Sequence, residues 1–447
     1  MSVRDRERRA LDEEASGAVP SVVESEKGSV AERIGLLART IFAEGPPVRF
    51  RFWDGSALGP TTDIGAVVIR SPRALTRLIW SPDEVGIARA FILGDIELEG
   101  DAFALLRELH AGVSMKRRLG PSAFASGLMA AWRLGALGRP PERPAEEVRL
   151  GGWRHSQRRD AAAIAHHYDV GNDFYRLVLG PAMTYSCARF EEPLFGLEQA
   201  QASKHDLVCR KLGLHERPNA RLLDVGCGWG AMAMHAASIY GARVVGITLS
   251  EQQVERARAR VHESGLDDLV EIRLQDYREL SDERFDAISS IGMFEHVGAK
   301  RMDEYFDTLV SLLVPTGRLL NHAISTPGGS KLHGRTFINR YVFPDGELID
   351  VAEVVGGMER AGFEVRDVES LREHYSQTLH AWVDNLENSW DEAVHLVGEA
   401  RARIWRLYMA ASANGFDDGG LSIHQVLGVL PGDGGTSGMP RTRAGWQ

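Results

Sequence analysis

The chain has 447 residues, 44% of them hydrophobic, with a net charge of −10 and three cysteines. That length suffices for two domains with their own cores. The acidic balance argues against a nucleic-acid partner, and Cys187, Cys209 and Cys227 are too few and too scattered for a disulfide framework or a zinc site. No run of about 18 apolar residues occurs and the N-terminal stretch is charged rather than apolar, so neither a membrane span nor a secretory signal is expected. A reducing cytoplasm is the natural setting.

Residues 1–28 are rich in Arg, Glu, Ser and Gly and read as a disordered leader. A first domain, 29–111, opens on a helix over Ala31–Phe42 that places Ile34, Leu37 and Ile41 on one face. Strands over Val48–Trp53 and Gly65–Arg70 follow, then helical patterns to about His110, together a small α+β unit that also offers a candidate homodimer surface. From Gly112 to Arg159 ten basic residues face three acids, giving +7 locally and leaving −17 for the rest of the chain. Phe124, Leu128 and Trp132, flanked by Lys116-Arg117-Arg118 and Arg133, have the spacing of a basic amphipathic helix that lies on an anionic membrane surface. A helix packed on its own domain with a solvated basic edge fits the same pattern. Segment 112–160 closes in a proline-rich linker, Arg139–Pro144.

The second domain, 161–430, alternates strand and helix: Arg221–Val225, Arg243–Thr248, Val270–Leu274, Phe285–Ser290 and Gly317–Ile324 as strands, with helices at Ala231–Tyr240 and Glu251–Glu263 between them. Such repetition requires a mostly parallel sheet covered on both faces. A long helical pattern over about 378–413 and a last strand at Ile423–Leu430 complete it, before a Gly/Pro/Thr tail, 431–447, read as disordered.

In such sheets ligands sit beyond the carboxyl ends of the strands. The first strand ends in Asp224 and turns through Gly226, Gly228 and Gly230, which let backbone approach a ligand, and the acid suits a cationic or amine-bearing group. The second ends at Thr248-Leu249-Ser250 with Gln253 one turn on. The third ends at Asp276-Tyr277, an acid and an aromatic placed to bracket an adenine ring. The fourth ends at Ile291 and runs to Glu295, and the fifth carries His322. Glu295 and His322 over one pocket suit general acid/base work or, alternatively, an ion pair holding two loops. The paired His166-His167 lacks metal-site spacing with a carboxylate, so no metal is expected.

Six motifs occur in a fixed order: Ala165–Tyr175, Met183–Phe190, Leu223–Gly230, Gly246–Gln253, Phe294–Gly298 and Arg340–Gly346. Together, over about residues 160–430, they resemble the cyclopropane-fatty-acyl-phospholipid synthases and the related mycolic acid methyltransferases. The separate first domain is similar to that of the phospholipid-acting enzymes. The resemblance implies a class I methyltransferase (Rossmann-like) fold, S-adenosylmethionine as donor and a cis double bond of a membrane phospholipid acyl chain as acceptor. It also implies an enzyme at the inner face of the membrane.

By the same resemblance Tyr185, Ser186, Gly226, Thr248, Leu249, Gln253 and Tyr277 line the donor site. Cys187, Glu295, His322, Tyr375 and the backbone of Ile324 hold a bicarbonate ion that removes a proton from the added methyl group. One departure is Asp276-Tyr277-Arg278, where the mycolate enzymes carry tryptophan followed by an acid. Read alone, Cys187 is a small buried hydrophobe and Tyr375 a core aromatic. Scaffold relatives that make methylene or methyl-branched chains, and an inactive lipid-binding protein, are the alternatives to ring formation.

Overall fold

The structure is a computed structural model that describes residues 28–42, 44–112, 129, 132–148, 170–329, 336–344 and 346–446, with backbone alone for 36, 37 and 39–41. The leader, most of the basic segment including Phe124 and Leu128, and His166 and His167 lie outside the described residues, as do the side chains of Leu37 and Ile41. The chain divides into two compact units after Arg143.

In the first unit the strands β1 (Arg49–Phe52), β2 (Ala57–Leu58), β3 (Gly65–Ile69) and β4 (Ile96–Gly100) form one sheet in the order β2-β1-β3-β4. Helix Val30–Ile41 is capped by Ser29, whose side chain accepts from the Glu32 N–H. The helical reading through His110 is corrected at β4. Ile96-Glu97-Leu98-Glu99 alternates in and out of the sheet and pairs antiparallel with β3, although helices Glu84–Ile92 and Ala102–Gly112 flank it.

The second unit holds seven strands, β5 (Arg221–Val225), β6 (Arg243–Thr248), β7 (Val270–Leu274), β8 (Phe285–Ile291), β9 (Leu313–Ser325), β10 (Glu364–Ser370) and β11 (Ser422–Val429), in the order β10-β11-β9-β8-β5-β6-β7. All pairs from β9 to β7 are parallel, and β11 runs antiparallel to both β9 and β10. Adjacent residues feed opposite faces. Leu223, Val225, Ile288 and Leu319 enter one core cluster, while Leu222, Ala287 and Leu320 enter the other. Both faces are therefore covered, as near-continuous apolar strands require.

Three features escape the sequence pattern. β10 is polar because it is an edge strand, where charge discourages pairing with another chain. The single helical run expected near 378–413 is three helices, Arg372–Asn388, Trp390–Val397 and Glu399–Asp417, broken at Ser389 and at Gly398, whose φ is +80°. The tail is held in place. Arg443 pairs with Asp367 at 2.8 Å, the Gly438 carbonyl accepts from the buried Arg318 guanidinium at 3.1 Å, and Trp446 is 3% exposed. Glycine and proline set the composition there, but one aromatic and one arginine supply the anchors.

Candidate active site

The cavity lies where the sheet topology places it, at the carboxyl ends of β5, β6, β7 and β8. It is a cleft enclosing about 1170 Å³ including its open mouth, lined by Tyr185, Ser186, Asp224, Gly226, Gly228, Thr248, Leu249, Gln253, Asp276, Tyr277 and Ile291. Eleven of the twelve residues expected at the donor site thus border one space. Gly230 does not: it caps helix Ala231–Tyr240 with φ +81°, so its role is to turn the chain into that helix.

The turn is rigid where a ligand needs it. The Gly226 and Cys227 N–H groups both donate to the Ile247 carbonyl, at 2.9 and 3.0 Å, and a Cβ on Gly226 (φ +78°) would press on Met293 at 3.1 Å. Asp224 is 2% exposed. One carboxylate oxygen accepts from Ser289 Oγ at 2.7 Å and the other is buried without a partner. Burial raises its pKa to about 6, against the lowering effects of the Ser289 hydrogen bond and of Lys204. Thr248 Oγ1 donates to Gln253 Oε1 at 2.7 Å, while Ser250 Oγ accepts from the Gln253 N–H and caps the next helix. The expected adenine bracket is altered: both oxygens of Asp276 accept from Arg278, at 2.9 and 2.6 Å, and Tyr277 packs edge-on to Tyr305. The arginine that follows claims the carboxylate, so the acid sets Arg278 rather than standing free.

In the second set Cys187, His322 and Tyr375 are buried, and Glu295 is half-buried with one carboxylate oxygen enclosed. Glu295 Oε1 accepts from the Ile324 N–H at 2.8 Å and its Oε2 has no partner; burial lifts its pKa to about 7. His322 lies within hydrogen-bond distance of Gln425 through Nδ1, at 3.3 Å, and its Nε2 is buried without a partner. Burial, with Lys204 and Lys211 nearby, drives its pKa well down, so the ring is neutral. No hydrogen bond or ion pair joins Glu295 to His322 among the described residues, which removes the loop-fastening alternative. Cys187 Sγ donates to the Ala188 carbonyl at 3.2 Å and reaches the Leu371 carbonyl at 3.7 Å, and burial pushes its thiol pKa up. The Tyr375 N–H donates to that same Leu371 carbonyl, and its ring lies 4.8 Å from Phe416.

Backbone pairing through β11 links the elements that carry the two pairs. Leu371 N–H donates to the Ile423 carbonyl, and Ile423 is in register with Ile324 on β9. At Ile324 the N–H is engaged in fixing Glu295.

Several site residues carried no signal in the motifs. Ser289 orients Asp224, Gln425 orients His322, and Trp382 and Trp405 stand 5.3 and 5.7 Å from the ring of Tyr185, whose hydroxyl donates to that of Tyr408. Lys204 borders the cleft at 1% exposure. It sits on the apolar face of helix Leu197–Lys211, four residues from Ala200 and from Val208, and that misplaced charge was the readable clue.

A parallel sheet with one antiparallel strand, β11, inserted between β9 and β10, and with an acid and a glycine turn at its first strand, defines an S-adenosylmethionine-dependent methyltransferase of class I fold. The description "Mycolic acid cyclopropane synthetase" matches residues 155–426, and the chain belongs to that family. It is 41% identical over 412 residues to a probable fatty acid methyltransferase of Mycobacterium tuberculosis, covering 90% of this chain and 95% of that protein. It is 38% identical over 302 residues to the cyclopropane-fatty-acyl-phospholipid synthase of Escherichia coli K12, covering 66% and 76%. The crystal structure of the mycolic acid cyclopropane synthase CmaA1 complexed with SAH and CTAB is 36% identical, with a TM-score of 0.57 over 60% of this chain and 98% of that one.

Proposed function

We propose that the protein transfers a methylene group from S-adenosylmethionine to a cis double bond in a phospholipid acyl chain, giving a cyclopropane ring. The observation that carries this reading is a pair of buried polar atoms near the donor cleft, Glu295 Oε2 and His322 Nε2, both without partners among the described residues. A donor-binding protein alone has no use for two such atoms, each of which costs on the order of 1–3 kcal/mol to leave unmade.

The cleft fits the donor. Asp224 offers a buried, unpartnered carboxylate oxygen to an ammonium group, and Gly226 and Gly228 leave the backbone open to close approach. When bound, S-adenosylmethionine supplies an electrophilic methyl group. Tyr185 borders the cleft and is backed by the Trp382 and Trp405 rings, an aromatic wall that would disfavour water there. Closing a ring after methyl transfer requires loss of a proton from the added carbon. Glu295 and His322, with Cys187 and Tyr375, would hold bicarbonate to accept it, and Ile324 keeps Glu295 in place through its N–H.

A second reading is favoured by the 41% identical fatty acid methyltransferase, which covers both units: the carbocation left by methyl transfer, after a hydride shift and proton loss, gives an exocyclic methylene, and only reduction of that methylene by a separate hydride donor gives a methyl branch. Incubation with S-adenosylmethionine and a cis-unsaturated phospholipid decides. Ring and methylene products each add one CH2, so the discriminating signal is upfield ring protons by NMR; olefinic methylene protons would establish the second reading. No modified lipid from protein that binds the donor would sink both.

Membrane docking through residues 112–159 belongs to the same proposal. Of that segment's apolar residues, Met129 and Trp132 are 52% and 66% exposed. Partition onto anionic vesicles is expected to fall more than about tenfold when Lys116, Arg117 and Arg118 are replaced by glutamate, each basic residue contributing roughly 1 kcal/mol. Co-sedimentation indifferent to that change and to anionic lipid would remove the docking surface from the proposal.

A further inference from the structure

Neither the donor cleft nor the second set of residues accounts for one buried contact, between two phenols 223 residues apart in the chain. The Tyr185 hydroxyl donates to that of Tyr408 at 3.1 Å, and Tyr408 is 6% exposed. A phenol carries one proton. Because the Tyr408 oxygen accepts from Tyr185, its own proton points elsewhere, and no group among the described residues accepts it. Burial pushes the Tyr408 pKa up to about 12, against the Tyr185 hydrogen bond and with the help of the Glu295 charge, so the hydroxyl remains a donor.

Two members of the second set flank this pair. On one side the Tyr408 ring lies edge-on to Phe343 at 5.8 Å, and Phe343 lies 6.1 Å from the ring of His296, the neighbour of Glu295. The Glu347 N–H, four residues beyond Phe343, donates to the Glu295 carbonyl at 3.0 Å. That packing sets Tyr408 against the turn that carries Glu295. On the other side Trp382 stands between Tyr185 and Tyr375, with ring centroids 5.3 and 6.1 Å away. Tyr408 is thus a donor without an acceptor, and Glu295 Oε2 is an acceptor without a donor. The two do not hydrogen-bond to each other among the described residues; a small oxyanion would satisfy both.

We propose that Tyr408 is a positioning residue for ring closure: its hydroxyl, aimed by Tyr185, donates to an oxygen of the bicarbonate whose own O–H is accepted by Glu295 Oε2. This rests on the reading of the second set as a bicarbonate site. Bicarbonate has one hydroxyl and two oxygens that only accept, so a single ion meets both groups. Held from two sides, it loses the freedom to rotate. Tyr185 also borders the donor cleft, so the same hydroxyl pair ties the ion's orientation to the wall of that cleft.

The test is titration with isotope-labelled bicarbonate, followed by NMR with S-adenosylhomocysteine bound, for the parent, Tyr408→Phe, Tyr185→Phe and the double variant. Tyr408→Phe should weaken bicarbonate about 10- to 100-fold, as loss of one hydrogen bond to an ion does, and change S-adenosylhomocysteine affinity by less than about twofold. Tyr185→Phe should weaken bicarbonate less, by about three- to tenfold, because the Tyr408 hydroxyl is still present but free to turn. In the double variant the Tyr185 change should add nothing, since its effect passes through a hydroxyl no longer there. Turnover of Tyr408→Phe on cis-unsaturated phospholipid should recover as bicarbonate is raised, which general damage to the fold would not permit.

Bicarbonate affinity equal to the parent's in Tyr408→Phe would overturn the assignment. So would additive losses in the double variant, or turnover that stays low at saturating bicarbonate. If Tyr408→Phe does not fold, Tyr185→Phe decides, and an affinity for bicarbonate unchanged from the parent's overturns the role. A parent protein that binds S-adenosylhomocysteine but no bicarbonate would instead bring down the bicarbonate reading of the second set, and this role with it.

Discussion

Glu295→Gln is expected to bind S-adenosylhomocysteine within about twofold of the parent protein while losing about 10²- to 10⁴-fold in turnover. The reason is spatial. Glu295 does not border the donor cleft, and its carboxylate is fixed by the Ile324 N–H beside His322. Glutamine retains an oxygen to accept that hydrogen bond, so the substitution removes the titrating group and little else.

The same variant has a signature in stability. Burial raises Glu295 from 4.5 to about 7, so between those values the folded protein keeps a proton that the unfolded chain has released. The stability contributed by the neutral carboxyl is complete below about pH 4.5 and is lost as pH rises through about 7, on the order of 3 kcal/mol in all. Glutamine does not titrate. Denaturant unfolding of Glu295→Gln should therefore gain on the parent by that order across this window, and a difference that stays constant with pH would show the carboxyl to be solvated.

Asp224→Asn should give the converse result, a loss of about 10- to 100-fold in S-adenosylhomocysteine affinity. Asparagine still accepts from Ser289 Oγ but offers no negative charge to an ammonium group. Because burial holds Asp224 near 6, parent affinity should also decline as pH falls through about 6, by about tenfold per unit well below it, and Asp224→Asn should be flat there. Unchanged affinity in the variant would reduce Asp224 to a structural partner of Ser289. Crossed results, with Glu295→Gln losing the ligand and Asp224→Asn retaining it, would dissolve the division of the site into donor and proton-accepting halves.

The donor half was legible because its residues fall at strand ends. β5 to β8 were read nearly to the residue, and their ends deliver Asp224, Thr248, Asp276 and Ile291 to one cleft whatever the surrounding helices do. Parallel strands buried on both faces write themselves as apolar runs, so their boundaries survive in the sequence. The polar edge strand β10 and the anchored tail leave no such trace, since what holds them is a neighbour distant in the chain: Asp367 for Arg443, Arg318 for Gly438.

The sequence by itself determined the sheet, the glycine turn and the identity of the groups able to do chemistry. Tertiary structure alone decided their condition. Asp276 is engaged by Arg278 and is not free, Gly230 turns a helix and does not border the cleft, and the Ile324 N–H is committed to Glu295. Lys204, an ordinary helix residue in the sequence, becomes a buried side chain bordering the cleft that Asp224 also lines. Residue type fixes what a group can donate or accept, but burial and the partners brought by distant elements fix what remains for a ligand.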